Sequence, residues 1–266
     1  MIVSGNVAGE IMTPPERRDF IYRHLHEYKT VSIGDLVELL NVSHMTVRRD
    51  IRLLEDEGKI ISVTGGIQLN NALRQELPWN EKALINHRYK RVLGKYAASL
   101  VKDGQVVYLD AGTTTFEIAQ VLAERFNLTI VTNDFSITQY LINKPQLNLF
   151  HTGGQVDKRN YSCVGNTAAM VLRTLNIDIA FISTSSWDLE HGISTPYEEK
   201  VFVKQMLLEI ARRKILISDS SKYGKYGMFR VCSLSNLNDI VCDDKLPISE
   251  QRKLQEIGLK LHIVDV

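Results

Sequence analysis

The chain has 266 residues, of which 44% are hydrophobic and 24% charged, and a net charge of +1. That balance is that of an ordinary globular protein, not a disordered or fibrous one, and the length accommodates one small and one larger core. No stretch approaches the ~18 apolar residues of a spanning helix, so no membrane partner is expected.

The first thirteen residues carry no basic patch followed by an apolar core, so they do not read as a secretory signal, and a cytoplasmic location is expected. Organised sequence begins only after Pro14-Pro15, which leaves residues 1–13 as an unstructured extension and makes Met12 an alternative initiator. From Glu16 to Tyr28, Phe20, Ile21 and Leu25 recur at helical spacing behind a proline pair suited to a helix start. Ser32 then stands as an N-cap before Leu36, Val37, Leu39 and Leu40, and this second helix stops at Asn41. Ser43 caps a third helix with Val47, Ile51 and Leu54 on its inward side, ending at Gly58. Only Asn41 and Val42 separate the second helix from that cap, so the two helices must meet at a sharp angle, as in a helix-turn-helix. Lys59 to Val63, the Gly65-Gly66 turn and Ile67 to Leu69 then form a short hairpin, the wing. Residues 14–70 thus make up a winged helix-turn-helix domain, and 71–83, aperiodic and containing Pro78, read as a linker.

From Leu84 the texture changes to short β-rich runs: Gln105 to Leu109, Leu128 to Thr132, Leu147 to His151, Asp178 to Ser183, Lys214 to Ser218, Asp239 to Cys242 and Leu261 to Val264. Helical patterns lie between them, notably Thr114 to Phe126, Phe135 to Leu141, Thr167 to Leu175 and Val201 to Arg213. Such alternation predicts a mostly parallel sheet covered by helices, so residues 84–266 should form an α/β domain. Its three cysteines, Cys163, Cys232 and Cys242, are an odd number at wide spacing. They fit neither a disulfide framework nor a zinc site and are expected to be reduced and buried.

Net charge says nothing of a nucleic-acid partner, since residues 14–70 carry eight Lys and Arg against nine Asp and Glu. Placement is more informative. With Ser43 at the cap and Val47, Ile51 and Leu54 inward, the residues His44, Met45, Thr46, Arg48, Arg49 and Arg52 fall on or near the opposite face, towards the helix start. A recognition helix presents its side chains to the major groove from there, with arginines for phosphates or guanine edges and a helix start that favours phosphate. A charged stripe alone also suits any solvated helix; the spacing of the three helices and the hairpin favour the DNA reading.

In the second domain, Asp110 to Thr115 (DAGTTT) follows one strand and opens a helix. Gly112 lets backbone approach a ligand, and Thr113, Thr114 and Thr115 offer hydroxyls beside free amides, the makings of an anion site or simply of a Thr-rich cap. Asp110 would repel a phosphate, which assigns it to hydroxyl contacts or loop ordering. Thr132-Asn133-Asp134 can cap a helix or bind a polyol, Gly153-Gly154 permits a tight turn, and Lys222 in Ser218 to Lys222 could neutralise a phosphate or be merely solvated.

Residues Glu16 to Gly66, and above all SHMTVRRDIRLLEDEGKI from Ser43 to Ile60, resemble the DeoR family of bacterial repressors. Further on, DAGTTT, Thr132-Asn133-Asp134, the double glycine, DIAF at Asp178, GISTPYEE from Gly192 and DSSK from Asp219 look like successive signatures of that family's sensor domain. The resemblance implies a sensor fold similar to ribose-5-phosphate isomerases and CoA transferases, and it implies DNA contacts through Ser43, His44, Met45, Thr46, Arg48, Arg49 and Arg52. It implies ligand contacts through Asp110, Gly112, Thr113, Thr114, Thr115, Asn133, Glu198 and Lys222, with Glu199 in place of Glu198 if the register differs by one. Two departures stand out: Val63-Thr64 replaces the usual Arg-His before the double glycine, and Ser183 to Asp188 replaces glycines. The expected function is that of a DNA-binding regulator, a repressor of a carbohydrate catabolic operon. Its partners would be a double-stranded DNA operator and a small-molecule effector, a phosphorylated sugar or sugar acid, with assembly as a homodimer or homotetramer and no cofactor or metal. The alternatives are a phosphosugar isomerase-like enzyme with a fused N-terminal module, using Asp178, Asp188, Glu198 and Lys222, and a binding module that does not touch DNA.

Overall fold

The computed structural model describes residues 12–28 and 30–266, so the expected N-terminal extension lies, up to residue 11, outside the described residues. The chain divides into two compact units, Met1–Asn71 and Ala72–Val266. Among the described residues no helix is long and apolar enough to cross a membrane.

In the first unit, α1 (Pro14–Glu27), α2 (Ile33–Leu40) and α3 (His44–Asp56) precede a hairpin of β1 (Ile60–Val63) and β2 (Gly66–Leu69). Local chemistry sets each boundary. The Ser32 hydroxyl accepts from the Asp35 amide at 3.0 Å to start α2, and Asn41, in the left-handed region at φ 49°, ends it. The Ser43 hydroxyl then accepts from the Thr46 amide at 3.2 Å to start α3. Ile21, Leu36, Val47, Leu54, Ile60 and Ile67 are all buried and close the core of this unit. Val31 exchanges backbone hydrogen bonds with Ile67 at 3.0 and 2.9 Å, and this contact requires Gly66: a Cβ there would lie 2.1 Å from the Val31 carbonyl oxygen.

The second unit runs β3 (Ala72–Leu73), α4 (Trp79–Leu84), α5 (His87–Ser99), β4 (Val106–Leu109), α6 (Thr113–Leu122), β5 (Leu128–Thr132), α7 (Phe135–Leu141), β6 (Leu147–His151), β7 (Gln155–Asp157) and β8 (Ser162–Val164). It continues through α8 (Gly165–Leu172), β9 (Ile177–Ser183), β10 (Ser186–Asp188), β11 (Gly192–Thr195), α9 (Glu199–Ile210), β12 (Ala211–Ile217), β13 (Tyr226–Gly227), β14 (Phe229–Cys232), β15 (Asp239–Asp243), α10 (Ile248–Glu256) and β16 (Lys260–Val264). The seven runs read as strands in the sequence form one parallel sheet in the order β16-β15-β12-β9-β4-β5-β6. Alternate residues feed two cores, as a period of two requires. Val107, Leu109, Ile179, Phe181, Ile215 and Ile217 meet α5, α6 and α7 on one face, while Tyr108, Ala180, Ile182 and Leu216 meet α8, α9 and α10 on the other. All three cysteines are buried and unpaired.

Two expectations need correction. The stretch 71–83 is not a featureless linker: Ala72–Leu73 pairs in parallel with Tyr226–Gly227, and Pro78 directly precedes helix α4 instead of marking a loop. The helix expected over Val201 to Arg213 ends at Ile210, and Ala211–Arg213 already belongs to β12, where Arg213 makes a two-pronged contact with Asp239 of β15 at 2.8 and 2.7 Å.

Candidate functional sites

In the first unit the chemistry is on α3. Val47, Asp50, Ile51 and Leu54 face inward, leaving His44, Met45, Arg48, Arg49 and Arg52 exposed and Thr46 partly so. The Ser43 and Thr46 hydroxyls lie 2.9 Å apart and serve the cap; the first amides of the helix have no intrahelical acceptor. Among the described residues Arg48, Arg49 and Arg52 have no carboxylate within ion-pair distance, whereas the other arginines at this end of the chain do. Arg17 reaches the buried Asp50 at 2.8 Å and Arg18 reaches it at 3.6 Å. Asp50, inside the motif string, thus fastens α3 to α1. Its position three residues after Val47 puts it on the inner face, a signal the sequence carried.

The second site lies where the strand order reverses, at the carboxyl ends of β4, β9 and β5, the place where open parallel sheets bind ligands. A cavity of about 720 Å³, including its solvent-open mouth, is lined there by Asp110, Gly112, Thr113, Thr114, Asn133, Ser183 to Ser185 and Lys222, together with Glu76, Trp79, Lys82, Lys200 and Lys204. Gly112 is needed because a Cβ would stand 2.9 Å from the Ser183 hydroxyl. Asn133 is fully engaged in shaping the loop: its oxygen accepts from the Tyr108 hydroxyl and the Ala111 amide, both at 2.9 Å, and its nitrogen donates to the Cys163 carbonyl at 2.8 Å. Asp110 accepts from the Ala111 and Ser183 amides, each at 3.0 Å, and is paired with Lys204, which also donates to the Ser183 carbonyl at 2.6 Å.

Not all the expected ligand residues gather here. Thr115 does not line the cavity; its hydroxyl is turned back onto the carbonyls of Asp110 and Gly112. Glu198 and Glu199, at the start of α9, are exposed and outside the cavity. Helical periodicity turns Lys200, Val203 and Lys204 inward in their place. Of the four groups that the isomerase reading would use, only Lys222 lines the cavity. Asp188 accepts from the His191 ring at 2.8 Å, and Asp178 sits at the opposite end of β9, accepting from the Val106 amide at 2.9 Å. Sequence reasoning missed Glu76, Trp79, Lys82, Lys200 and Lys204; the only signal among them was the four-residue spacing of the last two lysines on one helix.

The electrostatics favour an anion. Four lysines line the cavity against two carboxylates, Glu76 and Asp110; Asp219, 3.5 Å from Lys222, partly offsets the excess. Burial alone would raise the Glu76 carboxyl, but Lys200 and Lys82 beside it hold it well below the ordinary carboxylate range. Burial lowers Lys82 to about 8. Among the described residues two polar atoms of the lining have no partner: the Thr114 hydroxyl, on a residue 1% exposed, and the Trp79 indole nitrogen. Unsatisfied buried groups are rare in native proteins. Among the described residues no group of three or more His, Cys, Asp and Glu is arranged to hold a metal.

Behind the cavity, Asp134 caps α7 through the amides of Ser136 and Ile137 at 2.7 and 3.0 Å and takes the Gly112 amide at 3.1 Å. Burial raises its carboxyl to about 6 against the opposing pull of those amides. A folded value above the ordinary one means that its contribution to stability is fully present below about pH 4 and is lost as pH rises through 6, a loss of about 3 kcal/mol. Asp134→Asn, which does not titrate, is therefore expected to gain about 3 kcal/mol on the wild type between pH 4 and pH 7 in urea unfolding. Stability curves that stay parallel over that interval would contradict this assignment.

Comparison with known proteins adds the following. A family model for the DeoR C terminal sensor domain matches residues 85–244, and one for the DeoR-like helix-turn-helix domain matches residues 17–72. An uncharacterized HTH-type transcriptional regulator of Haemophilus influenzae is 45% identical over 95% of this chain and 98% of its own length. The regulator YgbI of Escherichia coli, also uncharacterized, is 45% identical over 94% of this chain and 98% of its own. The lactose phosphotransferase system repressor of Staphylococcus epidermidis is 31% identical over 88% and 93%. Among solved structures, ribose 5-phosphate isomerase A of Methanocaldococcus jannaschii aligns with 53% of this chain and 56% of its own at a TM-score of 0.40 and 18% identity, a partial likeness with no bearing on activity.

Proposed function

Because this chain belongs to the DeoR family of helix-turn-helix transcriptional regulators, we propose that it is a cytoplasmic repressor of a carbohydrate catabolic operon, released from its operator when a phosphorylated sugar or sugar acid enters the cavity of the second unit. α3 reads the operator through Arg48, Arg49 and Arg52, with Met45 available to a thymine methyl and the cap at Ser43 and Thr46 facing the backbone. Reading two half-sites calls for a homodimer or homotetramer. Relatives named for sugar operons, the lactose system repressor among them, support the carbohydrate assignment.

One observation carries the effector reading: the Thr114 hydroxyl is buried without a partner at the start of α6, in a lysine-lined cavity. The amides of that first turn and the helix dipole favour an oxyanion there. Thr113 and Thr114 meet the anion, Lys222 and the other lysines of the cavity add charge, and the hydroxyls of Ser183 and Thr184 meet the sugar. Asp110 and Asn133 act by shaping the loop.

Thr114→Val tests this. The substitution removes an unsatisfied buried hydroxyl, so thermal stability of the ligand-free protein should be unchanged or slightly raised, whereas affinity for the sugar phosphate that stabilises the wild type in a thermal-shift screen should fall about 10-fold. In that screen a ligand at 100 times its Kd adds about 2.7 kcal/mol. A valine variant that keeps wild-type affinity would remove Thr114 from the site.

A further inference from the structure

Glu76 is 7% exposed, while its chain neighbours Arg74, Gln75 and Leu77 are all exposed. A lone charged residue buried from an otherwise solvated segment requires a compensating partner, and it has several. One carboxylate oxygen takes Lys200 at 2.7 Å and Lys82 at 3.1 Å, and the other accepts from the Ser185 hydroxyl at 2.8 Å. All of these groups line the cavity. The segment is also held by the short Ala72–Leu73 pairing, by the Glu76 amide donating to the Tyr197 hydroxyl at 3.4 Å, by the Trp79 amide donating to the Arg159 carbonyl at 2.9 Å, and by the Arg159 guanidinium on the Glu76 carbonyl at 3.3 Å.

We propose that Glu76 is a built-in stand-in for the effector's anion: its carboxylate occupies a Lys82–Lys200 subsite, and an entering phosphate or carboxylate group displaces it, freeing residues 74–77. The inference rests on the anion-binding reading of the cavity given above. The exchange is chemically matched. Lys82 and Lys200 are already desolvated and oriented for an oxyanion, Ser185 supplies a hydroxyl donor, and a dianion gains more from the two ammonium groups than the single charge it replaces. Glu76 lies in the second unit, just after its first strand, Ala72–Leu73.

The test uses full-length protein with inorganic phosphate as the probe, at constant ionic strength. Titration calorimetry should show Glu76→Gln binding phosphate about 10-fold more tightly than the wild type, a gain lost when Lys200→Gln is added. In the wild type, which needs no variant to fold, phosphate should speed amide hydrogen exchange in the peptide covering residues 72–84. If phosphate binds the wild type and Thr114→Val weakens this, but Glu76→Gln shows no gain and exchange in 72–84 slows or stays constant, the displacement is wrong and the anion site stands. Absence of phosphate binding in both the wild type and Glu76→Gln would overturn the displacement and the anion site together.

Discussion

Replacing Arg48 and Arg49 together with alanine is expected to lower affinity for operator DNA by at least 100-fold at matched salt, with phosphate binding to the second unit unchanged. Each arginine that reads a guanine edge contributes about 1–3 kcal/mol of discrimination, and one that contacts a phosphate instead removes about one from the salt slope. Neither residue has an intramolecular carboxylate partner among the described residues, and both are exposed, so the fold loses nothing when they are truncated. Fluorescence anisotropy on a duplex selected from a random library by the wild type measures the change. Operator affinity within threefold of wild type would remove α3 as the reading helix. Truncating Asp50 is the informative contrast: it would weaken binding by loosening α3 from Arg17 and Arg18, with a loss of stability that the arginine variant does not share.

The second large effect is expected at the floor of the cavity. Asp110→Asn keeps the shape of the side chain but leaves the Lys204 ammonium, on a side chain 9% exposed, without its counter-charge. Breaking one partner of a buried pair costs about 3–5 kcal/mol, because the remaining charge is stranded in a poorly solvated place. The Ser183 carbonyl, 2.6 Å from the same ammonium, offsets part of that loss. Urea unfolding should show the single variant destabilised by roughly 3 kcal/mol, and Asp110→Asn combined with Lys204→Met should recover most of it. A loss below about 1 kcal/mol would mean that the pair is solvated in the native protein.

The parallel sheet was legible because its central strands, buried on both faces, read as continuous β-branched and apolar runs between turns. Leu128–Thr132 and Leu147–His151 appear with the boundaries the sequence suggests. Helix α5 was not singled out, since its inner face is made of Leu93, Gly94, Ala97 and Ala98, among which small residues dilute the apolar period. The stretch holding β3 and α4 read as a linker because its only buried residue from 74 to 77 is a glutamate, which no hydrophobic pattern registers.

The candidate sites divide in the same way. The α3 face and the loop after β4 are contiguous in sequence, so capping and spacing reveal them. The cationic wall is assembled from residues 82, 200, 204 and 222, which only the crossover connections bring together. Helix phase puts Glu198 outside the cavity: positions 200 and 204 share the inner side of α9, and 198 and 199 do not. Asp110 had no visible partner in the sequence because Lys204 lies 94 positions away.

Coupling between the cavity and the DNA-reading helix is the central claim. Operator affinity of the full-length wild type should be measured with and without saturating amounts of the sugar phosphate that stabilises it. Coupling predicts a drop of between about 5- and 150-fold, with Thr114→Val needing about 10-fold more ligand for the same drop. Operator affinity that does not change at saturation would contradict it.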